Sequence, residues 1–262
     1  MKRKRKLLLL FLALFFSFSS IAQPLKTPGK AESFRDEQNR YPRVRVARAE
    51  KESYIKNLFN GKGLPYPPDS IIIVIYKIER TVELWSLHPS TAKYELIRTY
   101  PICMLSGMPG PKRCEGDLQI PEGFYKIALF NPVSDYHLSM MINYPNKSDK
   151  ILGCKRPGGL IFIHGNCVTI GCIPITDDLI KELYLICVDV KSSSQKEIPV
   201  YIFPCRFSGE VMKTLEKEFE NNPDITKFWK NLKTGYDLFQ STKKRLEIEV
   251  DTSGIYKFKA AR

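Results

Sequence analysis

The densest run of reactive side chains in the chain is Ile161-Phe162-Ile163-His164-Gly165-Asn166-Cys167-Val168-Thr169-Ile170-Gly171-Cys172-Ile173-Pro174. A thiol attacks carbon only as its thiolate, and a neighbouring imidazole can take the proton. Gly171 puts no side chain ahead of Cys172, so main-chain N–H groups can approach a developing oxyanion. Base, nucleophile and main-chain donor are together the parts needed for acyl transfer through a thioester. A competing use of the same atoms is structural. Cys154, His164, Cys167 and Cys172 offer four N/S ligands of the kind zinc takes. Their spacing, Cys-x9-His-x2-Cys-x4-Cys, fits no zinc pattern, so no metal and no cofactor is expected.

Such a loop needs a scaffold. Ile71–Lys77 is β-branched and apolar, a strand, and Thr81–Leu87 alternates like its hairpin partner. Further strands are expected over Tyr94–Met104, Gly123–Leu129, His137–Ile142, Gly159–His164 and Val200–Phe203. Turns such as Gly107–Pro111 and Pro121-Glu122-Gly123 separate them. After the reactive loop, Asp177 and Asp178 oppose a helix dipole. Leu179, Ile180, Leu183, Tyr184, Ile186, Cys187 and Val190 then form an apolar stripe of helical period. Beyond Cys205, Ser208 stands where it would cap a helix over Glu210–Asn221. Residues 224–242 read as a second helix, and Arg245–Val250 and Gly254–Phe258 as paired late strands. The expected class is mainly β with a peripheral helix, followed by a C-terminal α/β appendage.

Ahead of the domain, residues 23–69 are polar, basic and proline-punctuated. They read as a linker, with one short helix near Arg48–Phe59. Residues 70–205 form the expected catalytic domain and 206–262 the C-terminal extension. At the start, Lys2-Arg3-Lys4-Arg5-Lys6 precede an apolar run from Leu7 to Phe16 and then small residues. This is the pattern of a secretory signal peptide over residues 1–22, cleaved after Ala22. The run is too short for a comfortable membrane span. An exported, periplasmic or envelope location is therefore expected, with no integral span once the leader is removed.

At 43% hydrophobic and 26% charged residues, the chain is not disordered, collagenous or a coiled coil. The formal charge of +13 falls to 36 basic against 28 acidic residues without the leader, an ordinary solvated surplus. Nucleic acid is not an expected partner of an exported chain. Seven cysteines leave at least one unpaired, as a thiol nucleophile requires. Cys187 is expected to be a buried free thiol. Cys167 must avoid Cys172, either by pairing elsewhere, with Cys154 the nearest upstream partner, or by staying reduced.

The run His164-Gly-x6-Gly171-Cys172 resembles the active-site loop of the YkuD-type L,D-transpeptidases. Gly116-Asp117-Leu118-Gln119-Ile120-Pro121-Glu122-Gly123-Phe124-Tyr125 is similar to that family's G-D-x-x-T-P-x-G-x-Y segment. The resemblance spans about residues 70–205. The commonest family pattern has a longer gap, a second His before the Gly-Cys pair and a polar residue two places after the cysteine. Here the gap is eight positions, Ile170 replaces that histidine and Pro174 the polar residue. The compact form looks like the YafK subgroup of murein L,D-transpeptidases.

What the resemblance implies is a YkuD-like mixed β-sheet sandwich acting on peptidoglycan stem peptides outside the cytoplasm. Cys172 would be the nucleophile and His164 the proton acceptor and donor. Gly171 would supply oxyanion backbone and Gly165 a carbonyl that orients His164, with Thr169 supporting the loop. An amine acceptor gives cross-linking. Water gives hydrolysis, including release of a wall-linked protein. A non-catalytic wall-binding module is the third reading. No substrate-binding residue is assigned. His137 facing a groove, Glu115 and Asp117 facing a substrate ammonium and Tyr144 as a cleft wall are options, each set against an ordinary structural role. His88 reads as a turn residue, and Trp85 and Trp229 as core.

Overall fold

The run Ile71-Ile72-Ile73-Val74-Ile75-Tyr76 has no polar side because the strand it forms, β1 (Ile71–Tyr76), is covered on both faces. Ile71, Ile73 and Ile75 point into one core and Ile72, Val74 and Tyr76 into another. Fully burying each such side chain stabilises by about 1.5–3 kcal/mol. The computed structural model describes residues 32–207 and 209–261, which form one compact unit. The expected leader and the Ser208 cap lie outside those residues.

The other strands are β2 (Thr81–His88), β3 (Lys93–Pro101), β4 (Gly123–Asn131), β5 (Ser139–Ile142), β6 (Phe162–His164), β7 (Ile173–Pro174) and β8 (Pro199–Phe203). They make one mixed eight-stranded sheet in the order β3-β2-β1-β8-β4-β5-β6-β7. The β1/β8 and β6/β7 pairs are parallel and the rest antiparallel. The mixed sheet with flanking helices and further C-terminal α/β elements is the expected class.

Two differences from the sequence reading concern what covers the sheet. On the first face lies α4 (Asp177–Ser193), capped by the Thr176 hydroxyl. The stretch expected as linker is helical there, as α1 (Phe34–Asn39) and α2 (Pro42–Asn60), and both pack on α4. Pro42 is the first helical residue of α2 rather than a breaker, a position where the missing N–H is harmless. Val44, Ala47, Ile55 and Phe59 are buried, and Arg48 forks onto buried Asp189 of α4 at 2.8 and 3.1 Å. A short helix, α3 (Lys147–Leu152), begins at the expected Tyr144-Pro145-Asn146 turn.

On the second face lie α5 (Gly209–Glu218), α6 (Pro223–Thr242) and a hairpin of β9 (Leu246–Val250) with β10 (Tyr256–Ala260). Trp229, Leu232 and Phe239 of α6 enclose the even-numbered residues of β1 together with Tyr201 and Phe203 of β8. The C-terminal segment thus supplies half of the sheet's cover. No described helix is long and apolar enough to cross a membrane.

Candidate active site

β6 and β7 form the far edge of the sheet, with Ile163 opposite Ile173 and His164 opposite Pro174. The chain leaves β6 at His164, loops through residues 165–172 and re-enters alongside. The eight-position gap therefore sets Cys172 beside Phe162, whose N–H points at Cys172 Sγ from 3.4 Å. His164 is two residues along from Phe162, and alternate residues of a strand share a face. The two sequence-predicted side chains are thus brought to one edge by register.

Local contacts fix each of them. His164 Nδ1 meets the Gly165 carbonyl. A carbonyl only accepts, so Nδ1 carries the ring proton and Nε2 is the basic nitrogen. Gly165 is glycine because a Cβ there would lie 2.5 Å from Asp177 Oδ1 and 3.0 Å from the Tyr136 carbonyl. Asp177, expected only to oppose the helix dipole, also accepts the Asn166 N–H at 2.7 Å and so ties the loop to α4. Thr169 Oγ1 donates to the Cys172 carbonyl at 2.8 Å and accepts the Gly171 N–H at 3.1 Å. Gly171 has φ +134°, and a Cβ there would press on the Gln119 carbonyl at 3.0 Å.

Electrostatics leave both groups neutral at rest. Burial pulls the His164 pKa below the ordinary histidine value, with the Gly165 contact opposing. Burial pushes the Cys172 thiol up, against the Phe162 N–H and the charge of Lys112. Cys172 is half-buried, and its Sγ also lies 3.7 Å from the Leu160 carbonyl. A neutral thiol and a neutral imidazole on one sheet edge suit proton transfer during attack rather than a standing ion pair.

Cys167 avoids Cys172, as expected, by pairing elsewhere, but not with the nearest upstream candidate. Cys167 is bonded to Cys103, not Cys154, and Cys154 is bonded to Cys114, with Cα–Cα separations of 5.6 and 5.5 Å. Spacing favoured the nearest upstream partner, but the fold lays Cys103 against the end of β7, where its N–H meets the Pro174 carbonyl at 3.1 Å. The four-ligand zinc reading falls with this, since two of its thiols belong to separate disulfides. Cys172 is free, and so are buried Cys187 and Cys205.

The loop over 107–119 ends against Gly171 through the Gln119 carbonyl. Asp117 turns inward, accepting the N–H groups of Arg113, Cys114 and Gln119 at 2.8, 2.9 and 3.0 Å and the Lys112 ammonium at 2.6 Å. It is a turn-forming acid. Glu115 pairs with Arg156 on the surface. Tyr144 is buried and donates to the Pro157 carbonyl at 3.0 Å. His137 sits at φ +69° behind Gly165, while His88 accepts the Ser90 N–H in a turn. Trp85 and Trp229 are core.

Two residues escaped the sequence reading. The Tyr136 ring covers the His164 imidazole at 4.8 Å between centroids. Lys112 is buried in the loop over 107–119, on Asp117 and the Cys114 carbonyl. Neither lies in a recognisable pattern, and only the folded loops position them.

Residues 71–202 match the YkuD family, an L,D-transpeptidase catalytic domain. The chain is 35% identical over 182 residues to an Escherichia coli (strain K12) protein named "Putative L,D-transpeptidase YafK", covering 69% of this chain and 70% of that protein. The same figures hold for its counterpart in Escherichia coli O157:H7. Among solved structures, the helical cell shape determining protein Pgp2 from Campylobacter jejuni is 19% identical, over 70% of this chain and 73% of that one, with a TM-score of 0.43.

Proposed function

The chain belongs to the YkuD L,D-transpeptidase family, and from that premise we propose that it is an exported enzyme that modifies peptidoglycan stem peptides through a thioester on Cys172. The single observation that carries this reading is the β6–β7 register. It puts a free cysteine and a histidine with its Nδ1 already engaged on one edge. Export is supported by the basic-apolar leader pattern in the sequence and by the two disulfides, which persist in oxidising compartments.

In the first half-reaction Cys172 Sγ attacks the carbonyl carbon of the diamino acid at the third stem position. His164 Nε2 takes the thiol proton as the C–S bond forms. Negative charge gathers on the carbonyl oxygen beside the Gly171–Cys172 main chain. The Gly171 N–H is held by Thr169 in the resting loop and must turn to serve that oxygen. Collapse breaks the C–N bond to the fourth residue, and the leaving amine takes the proton back from His164. In the second half-reaction an amine or water attacks the thioester, its proton passes to His164, and the thiol is released. The Gly165 carbonyl keeps the ring in one tautomer throughout.

Purified full chain incubated with defined tetrapeptide muropeptides, with products weighed by mass spectrometry, tests this. Cross-linked dimers or an exchanged terminal residue mean transfer, and bare tripeptides mean hydrolysis. Cys172→Ala and His164→Ala should each lose turnover, the latter by about 10²–10⁴-fold, with unchanged thermal melting. Undiminished processing by either variant sinks the assignment.

A further inference from the structure

Met140, Ile142 and Ile163 point into the core shared with α4, so Met141, Phe162 and His164 point to the other face of the sheet. On that same face the C-terminal segment packs over Phe124, Tyr201 and Phe203. The strand registers lay two rows of side chains across it. One row runs from Asn131 through Ser139 and His164 to Pro174, and the Tyr136 ring closes it over the imidazole. The other runs from Leu129 through Met141 to Phe162 and ends at Cys172, where the Phe162 N–H points at Sγ. This second row is open. Leu129 is 46% exposed, and Met141, Phe162 and Cys172 are half-buried. Apolar side chains left uncovered in a line mark a contact surface. Because the line ends at the sulfur, its occupant is the chain that the sulfur attacks.

One step further along β4 and β5, Lys126 and Asn143 border a cavity of about 460 Å³ between the sheet and β9. Two strand spacings and one two-residue step separate Asn143 from Cys172, about 12 Å in all. Asn143 Oδ1 accepts the Lys126 N–H at 2.8 Å, and its NH₂ has no acceptor among the described residues. Arg245 and Ile248 line the side formed by the C-terminal segment. Arg245 is half-buried and makes no ion pair with a described carboxylate, whereas Lys126 pairs with Glu197 at the rim. The cavity thus holds donors that lack acceptors, and a sugar supplies acceptors in its hydroxyl and acyl oxygens. The distance agrees. An extended chain covers about 3.3–3.6 Å per residue. With the third stem residue at Cys172, the two before it reach back about 7 Å, and the sugar that carries the stem follows.

We infer that the open row is the donor groove, over which the stem peptide lies back across Phe162 and Met141, and that the cavity beneath β9 takes the sugar to which that stem is joined. This rests on Cys172 attacking the third stem residue. The C-terminal segment then builds part of the binding site as well as covering the sheet.

Isothermal titration tests this in the full chain carrying Cys172→Ala, with a free tetrapeptide and with the same tetrapeptide joined to its disaccharide. The sugar-bearing ligand should bind about tenfold more tightly, the worth of one or two hydrogen bonds. Adding Arg245→Gln should abolish that advantage and leave the tetrapeptide affinity unchanged. So should Asn143→Asp, which keeps the acceptor for the Lys126 N–H and removes the free donor. Met141→Gln should weaken both ligands about fivefold by removing apolar contact. Equal affinities for the two ligands, or an advantage that survives Asn143→Asp and Arg245→Gln, overturns the sugar site. Unchanged affinities in Met141→Gln overturn the groove. Should Arg245→Gln fail to fold, the near-isosteric Asn143→Asp decides. A sugar preference that these variants abolish, in a parent chain that processes no muropeptide, sinks the proposed function and leaves the groove standing. Processing with no such preference does the reverse.

Discussion

The ring of Tyr136 lies over the imidazole of His164, with centroids 4.8 Å apart and planes inclined by 36°. Tyr136 is 44% exposed and His164 only 1%, so on that face the tyrosine shields the imidazole from water. The turn that holds it is braced from α2, where Arg43 donates to the Ser134 carbonyl and, at 2.8 Å, to that of His137. A helix in the stretch expected as linker therefore reaches the turn beside His164. In the proposed reaction His164 works as a neutral imidazole, and burial holds its pKa below the ordinary value. Removing the ring admits water, raises that pKa and lowers the neutral fraction at any acidic pH. Tyr136→Ala should move the acid limb of the kcat/KM profile to higher pH and slow turnover about tenfold through lost orientation. Tyr136→Phe keeps the ring and should stay within about twofold of the parent. An acid limb that does not move would separate Tyr136 from the base.

The disulfide pattern predicts thiol counts. Of seven cysteines, Cys172 is half-buried, Cys187 and Cys205 are buried, and four are paired. Iodoacetamide should add one label to the native unreduced chain, three after denaturation without reductant, and seven after denaturation and reduction. The loops closed span 64 and 40 residues, for which chain entropy gives about 4 kcal/mol each. Reduction should thus lower stability in urea markedly. It should also slow turnover, because Cys103–Cys167 tethers the loop that carries Cys172. Five labels under denaturation without reductant would mean that one of the two bridges is missing.

Legibility in the sequence followed how local each cause was. β1 and α4 were readable because a β-branched run and a capped apolar stripe determine strand and helix within a few residues. His164 and Cys172 were readable because their chemistry is written in side-chain type, and the chain needed only a loop to bring them together. The expected helix over Arg48–Phe59 misses the first turns of α2, because a proline signals a break in sequence whereas Pro42 begins the helix. β7 is two residues long and has no signal apart from its partner β6. Lys112, Tyr136 and the Cys103–Cys167 pairing depend on loops far apart in sequence, and no spacing rule reaches across them.

Asp149 ties stability to pH. It is 1% exposed, caps α3, accepts the Tyr125 hydroxyl at 3.0 Å and lies 3.4 Å from Arg113. Burial raises its pKa to about 6. A carboxyl raised on folding contributes stability that is complete below its unfolded pKa, near 4, and is lost as pH rises through the folded value. The loss is about 3 kcal/mol between pH 4 and pH 7. Asn at this position does not titrate, so the stability of Asp149→Asn minus that of the parent should rise by this amount over the same range. Urea midpoints measured across it provide the check, and a constant difference would show that Asp149 is not protonated in the folded state near pH 5.

Glu122 joins the C-terminal segment to the loop over 107–119. Its carboxylate is fully buried, with Oε1 accepting Lys77 Nζ at 2.9 Å and the Gly110 N–H at 2.8 Å, and Oε2 accepting the Trp229 indole N–H at 2.7 Å. Lys77 also donates to the Gly110 and Ile120 carbonyls at 2.6 and 3.0 Å, so the ends of the loop that bears Lys112 and Asp117 are hung on this pair. Trp229→Phe keeps an aromatic ring but leaves Oε2 without a donor, for an expected loss of about 2–4 kcal/mol. Glu122→Gln leaves Lys77 buried without a counter-charge, for about 3–5 kcal/mol. Because both act through one carboxylate, the double variant should lose less than the sum, by about 1 kcal/mol or more. Faster amide exchange across residues 107–121 in Trp229→Phe should accompany the loss. Strict additivity with unchanged exchange would mean that α6 merely covers the sheet and does not hold the loop.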